Sequence, residues 1–290
     1  VVIDGTRGDV IVNPDPQTIQ RYELEQRRHQ EANRQLVQLK DLPPELNAPV
    51  PGVRLFHGNM AADGTDVDGR GLWAELRPGN GTGFKSDGKE NRYSDRFGVE
   101  LTFGRAMKEL SPGRNIAILK YSRGGTSIAI DAAGGFGCWD PDYQKTNGVN
   151  QWDHFLAALR TATSVGDIDG DGEPDRLIPK GIVWMQGESD AQHTEETARK
   201  YAENLRRLMD LIRAALRTDD VPVIIGRISS SSDAPRKPAK PMSWKFGAIV
   251  REAQASWVKA DGHAKLVTST DDYGYSDPWH YDSPGYVDLG

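Results

Sequence analysis

Cysteine, net positive charge and long apolar runs are all missing or scarce in this chain. The single Cys138 excludes an intramolecular disulfide and a metal site built from several cysteines. No apolar run approaches the ~20 residues of a membrane span, and no secretory signal stands at the front, where the first residue is Val1. The net charge of -6 argues against a nucleic-acid partner, because phosphate binding needs a basic surface. We therefore expect a soluble globular protein that binds neither nucleic acid nor membrane.

The composition fits one large α/β domain with an appendage. The 290 residues are 37% hydrophobic and 27% charged, which is enough for a core that buries about three quarters of the unfolded surface. Two parts differ in character. Residues 1–47 are rich in charge and poor in apolar pattern, whereas residues 51–290 alternate short apolar runs with helical patterns. We predict a domain boundary between them.

Residues 1–47 predict a hairpin followed by a charged helix. Apolar runs at 1–3 and 10–12 flank a glycine turn, and Asn13 beside proline is an ordinary helix start for 17–40. The run VVIDGTRGDVIVNPDPQTIQRYE, with KDLPPE after the helix, resembles a linker segment of phosphotransferase-system enzyme I. Neither the phosphorylated histidine motif nor the barrel of that enzyme follows, so its function is not implied. We interpret this part as an appendage, with docking to partner proteins as the alternative.

From residue 51 onward the pattern alternates between strands and helices. Five short apolar runs predict strands, at 53–56, 116–121, 181–185, 223–227 and 265–268. Helical patterns separate them, at 100–110, 151–163, 194–217 and 245–259. This alternation implies parallel strands with right-handed crossovers. We predict a three-layer α/β/α sandwich around a five-stranded parallel sheet.

Polar groups follow two of these strands, at the sheet edge where ligands of parallel sheets bind. Gln186 and Glu188 come directly after the third strand, and the glycine between them permits a sharp turn. The amide of Gln186 could then donate to a developing oxyanion. Arg123, Gly124 and Gly125 follow the second strand, and paired glycines permit close approach of a ligand. We assign these three residues and Glu188 to substrate binding.

A candidate acid and base lie beyond the fifth strand, in Asp277-Pro278-Trp279-His280. An Asp and a His three residues apart on one loop can meet, and the carboxylate then holds the imidazole in the tautomer that accepts a proton. Taken alone, this spacing is more typical of a turn than of a catalytic pair.

Together, four blocks resemble the sialate O-acetylesterase-type carbohydrate esterases, a branch of the SGNH hydrolases. These blocks are FGVELTFGRAM (97–107), ILKYSRGGTSI (118–128), IVWMQGESDA (182–191) and DPWHYDSPGYVDLG (277–290). The resemblance implies that His280 is the general base, that Asp277 orients it, and that Gly98 and Gln186 contribute to the oxyanion hole. It also implies removal of acetyl groups from sugar hydroxyls through an acyl-enzyme, without a cofactor for catalysis.

The first block departs from this family, which carries GQSNM with the serine as nucleophile. Here the sequence is His57-Gly58-Asn59-Met60. Either Gly58 occupies the place of the serine and His57 that of the glutamine, or both residues are deleted between Gly58 and Asn59. The hydroxyl is missing in both alignments. Two substitutes are conceivable: His57 as a base for water, or a neighbouring serine. The serines considered are Ser122, Ser127 and Ser189.

A separate acidic loop predicts a structural calcium site. Asp167, Asp169, Asp171 and Asp175 stand at positions 1, 3, 5 and 9 with glycine at 6, which is the spacing of loops that wrap Ca²⁺. Position 12 is Ile178 instead of the bidentate acid of an EF-hand, so a weaker site is expected. A solvated acidic turn is the alternative interpretation.

The sequence thus predicts a carbohydrate O-acetylesterase-like hydrolase with an acetylated sugar as substrate. A catalytically silent carbohydrate-binding relative is the alternative, because the nucleophile is missing. The esterase resemblance and the acidic loop favour an extracellular or periplasmic location. The acetylated sugar and the oligomeric state are left open by the sequence.

Overall fold

A computed structural model describes most of the predicted main domain and parts of the amino-terminal segment. The described residues are 2–4, 9–11, 14–20, 22–23, 39–58, 66–144, 149–229, 244–276 and 279–290. Strands β1 (Val2–Asp4) and β2 (Asp9–Ile11) pair antiparallel, as predicted for the amino-terminal hairpin. Residues 16–20 and 22–23 are helical, while most of the helix predicted at 17–40 lies outside the described residues.

The described residues of the main domain form eight strands. They are β3 (Val50–His57), β4 (Trp73–Leu76), β5 (Lys85–Ser86), β6 (Asn91–Arg92), β7 (Ile116–Lys120), β8 (Ile182–Trp184), β9 (Val223–Gly226) and β10 (Ala264–Val267). Its helices are α1 (Glu100–Leu110), α2 (Gln151–Thr163), α3 (Glu188–Gln192), α4 (Glu195–Ala215), α5 (Gly247–Asp261) and α6 (Ser283–Leu289). Within the described part of the chain, no helix is both long and apolar enough to span a membrane.

All five predicted strands form, but the described ladders do not join them into one sheet. The first sheet has the order β4-β3-β7, with β3 parallel to β7 and antiparallel to β4. The second has the order β10-β9-β8 and is entirely parallel. The prediction of one five-stranded parallel sheet is therefore corrected to two three-stranded sheets, the first of them mixed. The domain is a mixed α/β structure.

Side chains connect the two sheets where a ladder is absent from the described residues. The three-residue strand β8 offers few backbone groups for pairing with β7. The ring of Trp139 lies instead between the two strand ends, with its centroid 5.6 Å from that of Tyr121 and 5.1 Å from that of Trp184. Leu119 of β7 also packs against the core cluster that contains Trp184. The contact between the sheets is thus aromatic and apolar.

Helices cover the first sheet on both faces. Because side chains alternate along a strand, Leu55 packs with Leu101 of α1, whereas Phe56 packs with Ala158 and Ala162 of α2. The second sheet packs one face against α4 and α5 in the largest core cluster. On the other face of the second sheet, Val183 is 54% exposed. In the described structure, helices are therefore seen on both faces only for the first sheet, which contains β3.

The segment just before the predicted boundary packs on the main domain. Leu42 is buried in the same cluster as Val50 and Val53, and Leu39 and Leu46 pack against that cluster. The Leu39 N–H also donates a 2.8 Å hydrogen bond to the carbonyl of Asp95.

Candidate active site

Gly58 directly follows His57, the last residue of β3, and still lies within the sheet. Its N–H donates a 2.8 Å hydrogen bond to the carbonyl of Lys120, which continues the parallel ladder beyond the His57–Lys120 pair. A Cβ built on Gly58 would lie 2.9 Å from Cδ2 of Tyr121 and 3.1 Å from Cβ of Ala158. A side chain here would thus point into the core under α2, with no N–H left for an oxyanion. Asn59, the other first-block residue, lies outside the described residues.

His57 is enclosed at the same strand end. It is 1% exposed, and its ring stacks on Phe84 with centroids 4.1 Å apart. Burial and then the positive charge of Lys120 lower its pKa well below the usual value, while the side chain of Asn80 opposes this shift. A neutral, enclosed imidazole does not face solvent. The enclosure of His57 therefore argues against a role as the base that activates water.

Gly98 lies just before α1 and next to two buried charges. The ammonium of Lys120 donates hydrogen bonds to Oε2 of Glu100, at 2.8 Å, and to the carbonyl of Asn80, at 2.7 Å. A Cβ on Gly98 would overlap Oε2 of Glu100 and lie 3.0 Å from Nζ of Lys120. A side chain at this position would therefore displace the ion pair. The Gly98 N–H donates to no acceptor in the described structure, so it meets the first requirement for an oxyanion donor.

Gln186 is the centre of a buried network after β8. Its Nε2 donates to the carbonyl of Thr126 at 3.0 Å and to Asp190 at 2.6 Å. The hydroxyl of Tyr201 donates to the carbonyl of Gln186, at 2.6 Å, and approaches its Oε1. Both amide hydrogens of Gln186 thus have protein acceptors. A hydrogen bond from this side chain to an oxyanion would require the loss of one of them.

Asp190 connects this network to the turn after β7. It accepts hydrogen bonds from the N–H groups of Ile128, at 3.2 Å, and Ala129, at 3.0 Å, besides that from Gln186. Burial raises the pKa of Asp190 to about 6, although these three hydrogen bonds act in the opposite direction. The result is a rigid link between the segments after β7 and β8.

His280 lies on a closed loop beyond β10. The Ser276 N–H donates 3.0 Å to the carbonyl of His280, and Tyr275 pairs with Tyr281 in an antiparallel bridge. The imidazole is exposed, and Asp277 lies outside the described residues. Burial raises the pKa of Glu188, whereas hydrogen bonds from nearby backbone and the charge of His280 lower it. The charge of His280 thus acts on a carboxylate that the sequence assigned to substrate binding.

The turn after β7 carries the predicted substrate-binding residues. The guanidinium of Arg123 lies over the ring of Phe136, 4.0 Å from its centroid. Gly125 has a φ of 72°, and a Cβ on Gly124 would meet no atom within 4 Å. Open space therefore surrounds this turn, and Arg123 and Phe136 form its side-chain platform.

The three serines considered as substitutes differ in exposure. Ser122 is exposed and Ser189 is half-buried in the first turn of α3. Ser127 is completely buried, and its hydroxyl donates 2.7 Å to the carbonyl of Ala129. Ser127 is thus a structural residue in this arrangement.

The acidic loop brings three of its four predicted ligands together. Carboxylate oxygens of Asp167, Asp169 and Asp175 lie within 4.8 Å of one another. Asp171 is not in this group, and it accepts a 2.8 Å hydrogen bond from the Glu173 N–H. Oxygen ligands at such spacing suit a hard cation such as Ca²⁺.

The acidic loop is also tied to the first sheet. Arg54 of β3 donates 2.7 Å to the carbonyl of Asp169, and Asn115 donates 3.1 Å to its carboxylate. Both residues lie away from the strand ends that carry His57 and Lys120. A cation here would stabilise structure and would not take part in the chemistry.

Comparison with known proteins decides the family. The family described as "Carbohydrate esterase, sialic acid-specific acetylesterase" matches residues 83–290, which is more than two thirds of the chain. The chain belongs to this family. No curated protein matches it, so membership rests on the family match. The matched residues include Gly98, Gln186 and His280, but not Gly58.

Solved structures show the fold of this carbohydrate esterase family member. A protein from Arabidopsis thaliana is similar with a TM-score of 0.52 and 20% identity, over 86% of this chain and 81% of that protein. A carbohydrate acetylesterase from Xanthomonas citri is similar with a TM-score of 0.54 and 18% identity, over 87% of this chain. The chain spans half the length of the Xanthomonas protein.

One feature beside Gly98 was missed from sequence, namely the Glu100–Lys120 ion pair. A lysine at the end of an otherwise apolar strand, Ile116–Lys120, is a signal that could have revealed it. A charged residue at the end of an apolar, partly buried strand needs a partner of opposite charge or a hydrogen-bond acceptor. Glu100 supplies it only through the fold, because the sequence does not indicate which acid lies next to β7.

Proposed function

We propose that this chain is a carbohydrate O-acetylesterase in which the site is preserved except at the nucleophile. The family shows a carbohydrate acetylesterase-type hydrolase. The observation that carries the proposal is the family match over residues 83–290, which include both Glu188 and His280. The charge of His280 also lowers the pKa of the Glu188 carboxylate. An imidazole beside a carboxylate is the arrangement that a general base needs. Asp277, three residues before His280, is the proposed orienting group.

The Gly58 geometry favours the deletion alignment over the substitution alignment. In the family the serine N–H contributes to the oxyanion hole, but the Gly58 N–H is bonded to Lys120. The direction of a Cβ at Gly58, toward Tyr121 and Ala158, also leads away from solvent. Gly58 is therefore proposed to be the glycine of GQSNM, with glutamine and serine missing after it.

The proposed chemistry needs only protein groups. A nucleophilic hydroxyl gives its proton to His280 and attacks the acetyl carbonyl, whose oxygen becomes negative and accepts a hydrogen bond from Gly98. Collapse of this intermediate expels the sugar oxygen, which takes the proton from His280 and leaves an acetyl ester. Water then repeats the sequence and releases acetate. In the chain as it stands, water replaces the hydroxyl and reacts slowly.

The substrate is proposed to be an acetylated sugar. The family is described as sialic acid-specific, and the Xanthomonas structure is of a carbohydrate acetylesterase. Arg123 over Phe136, on the open turn after β7, offers both a charged group and an aromatic edge to a sugar. We assign Arg123, Gly124 and Gly125 to sugar binding.

A carbohydrate-binding protein without turnover is the second proposal. The observation that favours it is the bonded Gly58 N–H, because Gly58, the last described residue of this segment, offers neither a hydroxyl nor a free N–H. The two proposals differ in one measurement. An esterase releases acetate from acetylated sugars above the uncatalysed rate in buffer and loses this activity in His280→Ala. A binding protein binds the sugar in isothermal titration calorimetry but releases no acetate.

Two further proposals concern the environment of the esterase. We propose that Asp167, Asp169 and Asp175 hold a structural Ca²⁺, with Asp171 as an outer acidic residue, supported by the clustering of three carboxylates. We also propose export from the cytoplasm, because acetylated polysaccharides and millimolar calcium are found outside cells. Loss of a calcium-induced rise in unfolding temperature in Asp169→Asn would test the first of these.

A further inference from the structure

A buried ion pair lies directly against the proposed oxyanion donor. Glu100 is 6% exposed and Lys120 is 17% exposed, with 2.8 Å between Nζ and Oε2. The ammonium also donates 2.7 Å to the carbonyl of Asn80. Lys120 therefore connects three segments: the end of β7, the loop that contains Asn80, and the first turn of α1.

Gly98 is held between this pair and the start of α1. The Leu101 N–H donates 3.3 Å to the carbonyl of Gly98, which fixes the peptide before the helix. A Cβ built on Gly98 would overlap Oε2 of Glu100 and lie 3.0 Å from Nζ of Lys120, so the ion pair lies directly beside Gly98.

Lys120 also fixes the end of the first block through its backbone. Its carbonyl accepts the Gly58 N–H at 2.8 Å, while its side chain binds Glu100 and Asn80. One residue thus binds both Gly58, after which the proposed nucleophile would stand, and the carboxylate beside Gly98. Reaction rates depend steeply on the distances between catalytic groups, and a 1 Å error can reduce them about 100-fold.

We infer that the Glu100–Lys120 pair positions the Gly98 N–H for the acyl oxygen of the substrate. The inference rests on the proposed esterase function and adds two positioning residues to it. Lys120 has a second effect, because it balances the Glu100 carboxylate that lies next to Gly98. Without Lys120, an unpaired negative charge would oppose an oxyanion at this place.

The first test needs no activity. Sodium acetate, the product of the proposed reaction, is added to the ¹⁵N-labelled chain, and the amide signal of Gly98 is followed by NMR. We expect a saturable shift in the unaltered chain and in Lys120→Arg, and its loss in Lys120→Met. Lys200→Met is the matched control, since Lys200 pairs with Glu196 on the exposed face of α4.

A double variant separates positioning from stability. Lys120→Met leaves the Glu100 carboxylate buried and unpaired, which destabilises the fold. Glu100→Gln together with Lys120→Met removes both charges, so the unfolding temperature should return toward that of the unaltered chain. The acetate shift at Gly98 should remain weaker than in the unaltered chain, because the hydrogen bonds of Lys120 are still missing although no unpaired charge now opposes acetate. If the shift returned in full with stability, the pair would be structural only and the inference would be wrong.

The second test uses kinetics on a chain with Gln-Ser inserted after Gly58. With an aryl acetate, Lys120→Met should lower kcat about 100-fold while KM changes little, and Lys120→Arg should recover most of the loss. If folded Lys120→Met kept the acetate shift and the kcat of its parent chain, the inference would be wrong, whereas the proposed esterase function would stand. No acetate shift at Gly98 in the unaltered chain would instead reject Gly98 as oxyanion donor, and the inference with it.

Discussion

The N–H of Gly58 is bonded to the carbonyl of Lys120, at 2.8 Å, and this contact determines how the first block is understood. It places Gly58 within the ladder between β3 and β7, where its N–H is not available to a substrate. This contact supports the proposal that the nucleophile of the family would follow Gly58 and not replace it.

Serine at position 58 should not create an esterase. Gly58→Ser would place Cβ within 3.1 Å of Tyr121 and Ala158. Overpacking of this kind typically costs about 1–3 kcal/mol, so the variant should unfold at a lower temperature and release no acetate above that of the unaltered chain. Gly124→Ser is the control, because a Cβ there meets nothing within 4 Å. Acetate release by Gly58→Ser would support the substitution alignment instead.

Glu188 should affect turnover more than substrate affinity. The charge of His280 lowers the pKa of its carboxylate, and we expect this carboxylate to stabilise the imidazolium that forms when the nucleophile loses its proton. In a chain with Gln-Ser inserted after Gly58, Glu188→Gln should therefore lower kcat by about tenfold or more with little change in KM. Glu195→Gln, on the exposed start of α4, is the matched control. A change confined to KM would return Glu188 to the substrate-binding role assigned from sequence.

Asp190 should make stability depend on pH. Burial raises its pKa to about 6 from the usual 3.8, so the unfolded chain ionises at lower pH than the folded one. The contribution of Asp190 to the free energy of unfolding is fully present below about pH 4 and is lost as the pH rises toward 6. Its total is near 3 kcal/mol, at about 1.4 kcal/mol per pKa unit.

Urea unfolding from pH 4 to 7 measures this contribution. Asp190→Asn should lose the pH-dependent decrease, although it also weakens the hydrogen bonds to Ile128 and Ala129. The exposed Asp219→Asn should retain it. An equal pH dependence in both variants would assign the effect to other groups.

Calcium should stabilise the chain through three of the four acidic residues. At 100 times its Kd, a ligand that binds only the folded state adds about 2.7 kcal/mol. Asp175→Asn should abolish the calcium-induced rise in unfolding temperature, whereas Asp171→Asn should largely retain it because Asp171 lies outside the cluster. Magnesium serves as the ion control. No rise at millimolar calcium would leave the loop as an acidic turn.

The sequence predicted the elements of this fold better than their assembly. Apolar periodicity located α1 and α2 and all five strands, because each pattern is local. It did not reveal the antiparallel strand β4, or that Trp139 and short β8 replace a ladder between the sheets with aromatic contacts. Pairing between distant segments is not encoded in any one of them.

The same limit applies to the site. The family blocks supplied His280, Gly98 and Gln186, but not the hydrogen bonds that occupy both amide hydrogens of Gln186. They also gave no indication that Lys120 reaches Glu100, since these residues are joined only when β7 lies beside α1. Availability of a donor is a property of the packed structure.

Acetate release by the unaltered chain, compared with the same chain carrying Gln-Ser inserted after Gly58, tests the central claim most directly. An inserted Gln-Ala is the control for loop length, and acetylated sialic acid and an aryl acetate are the substrates. Removing a triad nucleophile is severe, so we expect the Gln-Ser chain to be at least about 100-fold faster than the other two and to lose its activity in His280→Ala. Equal activity of the unaltered and Gln-Ser chains would contradict the account, because the nucleophile would then not be missing.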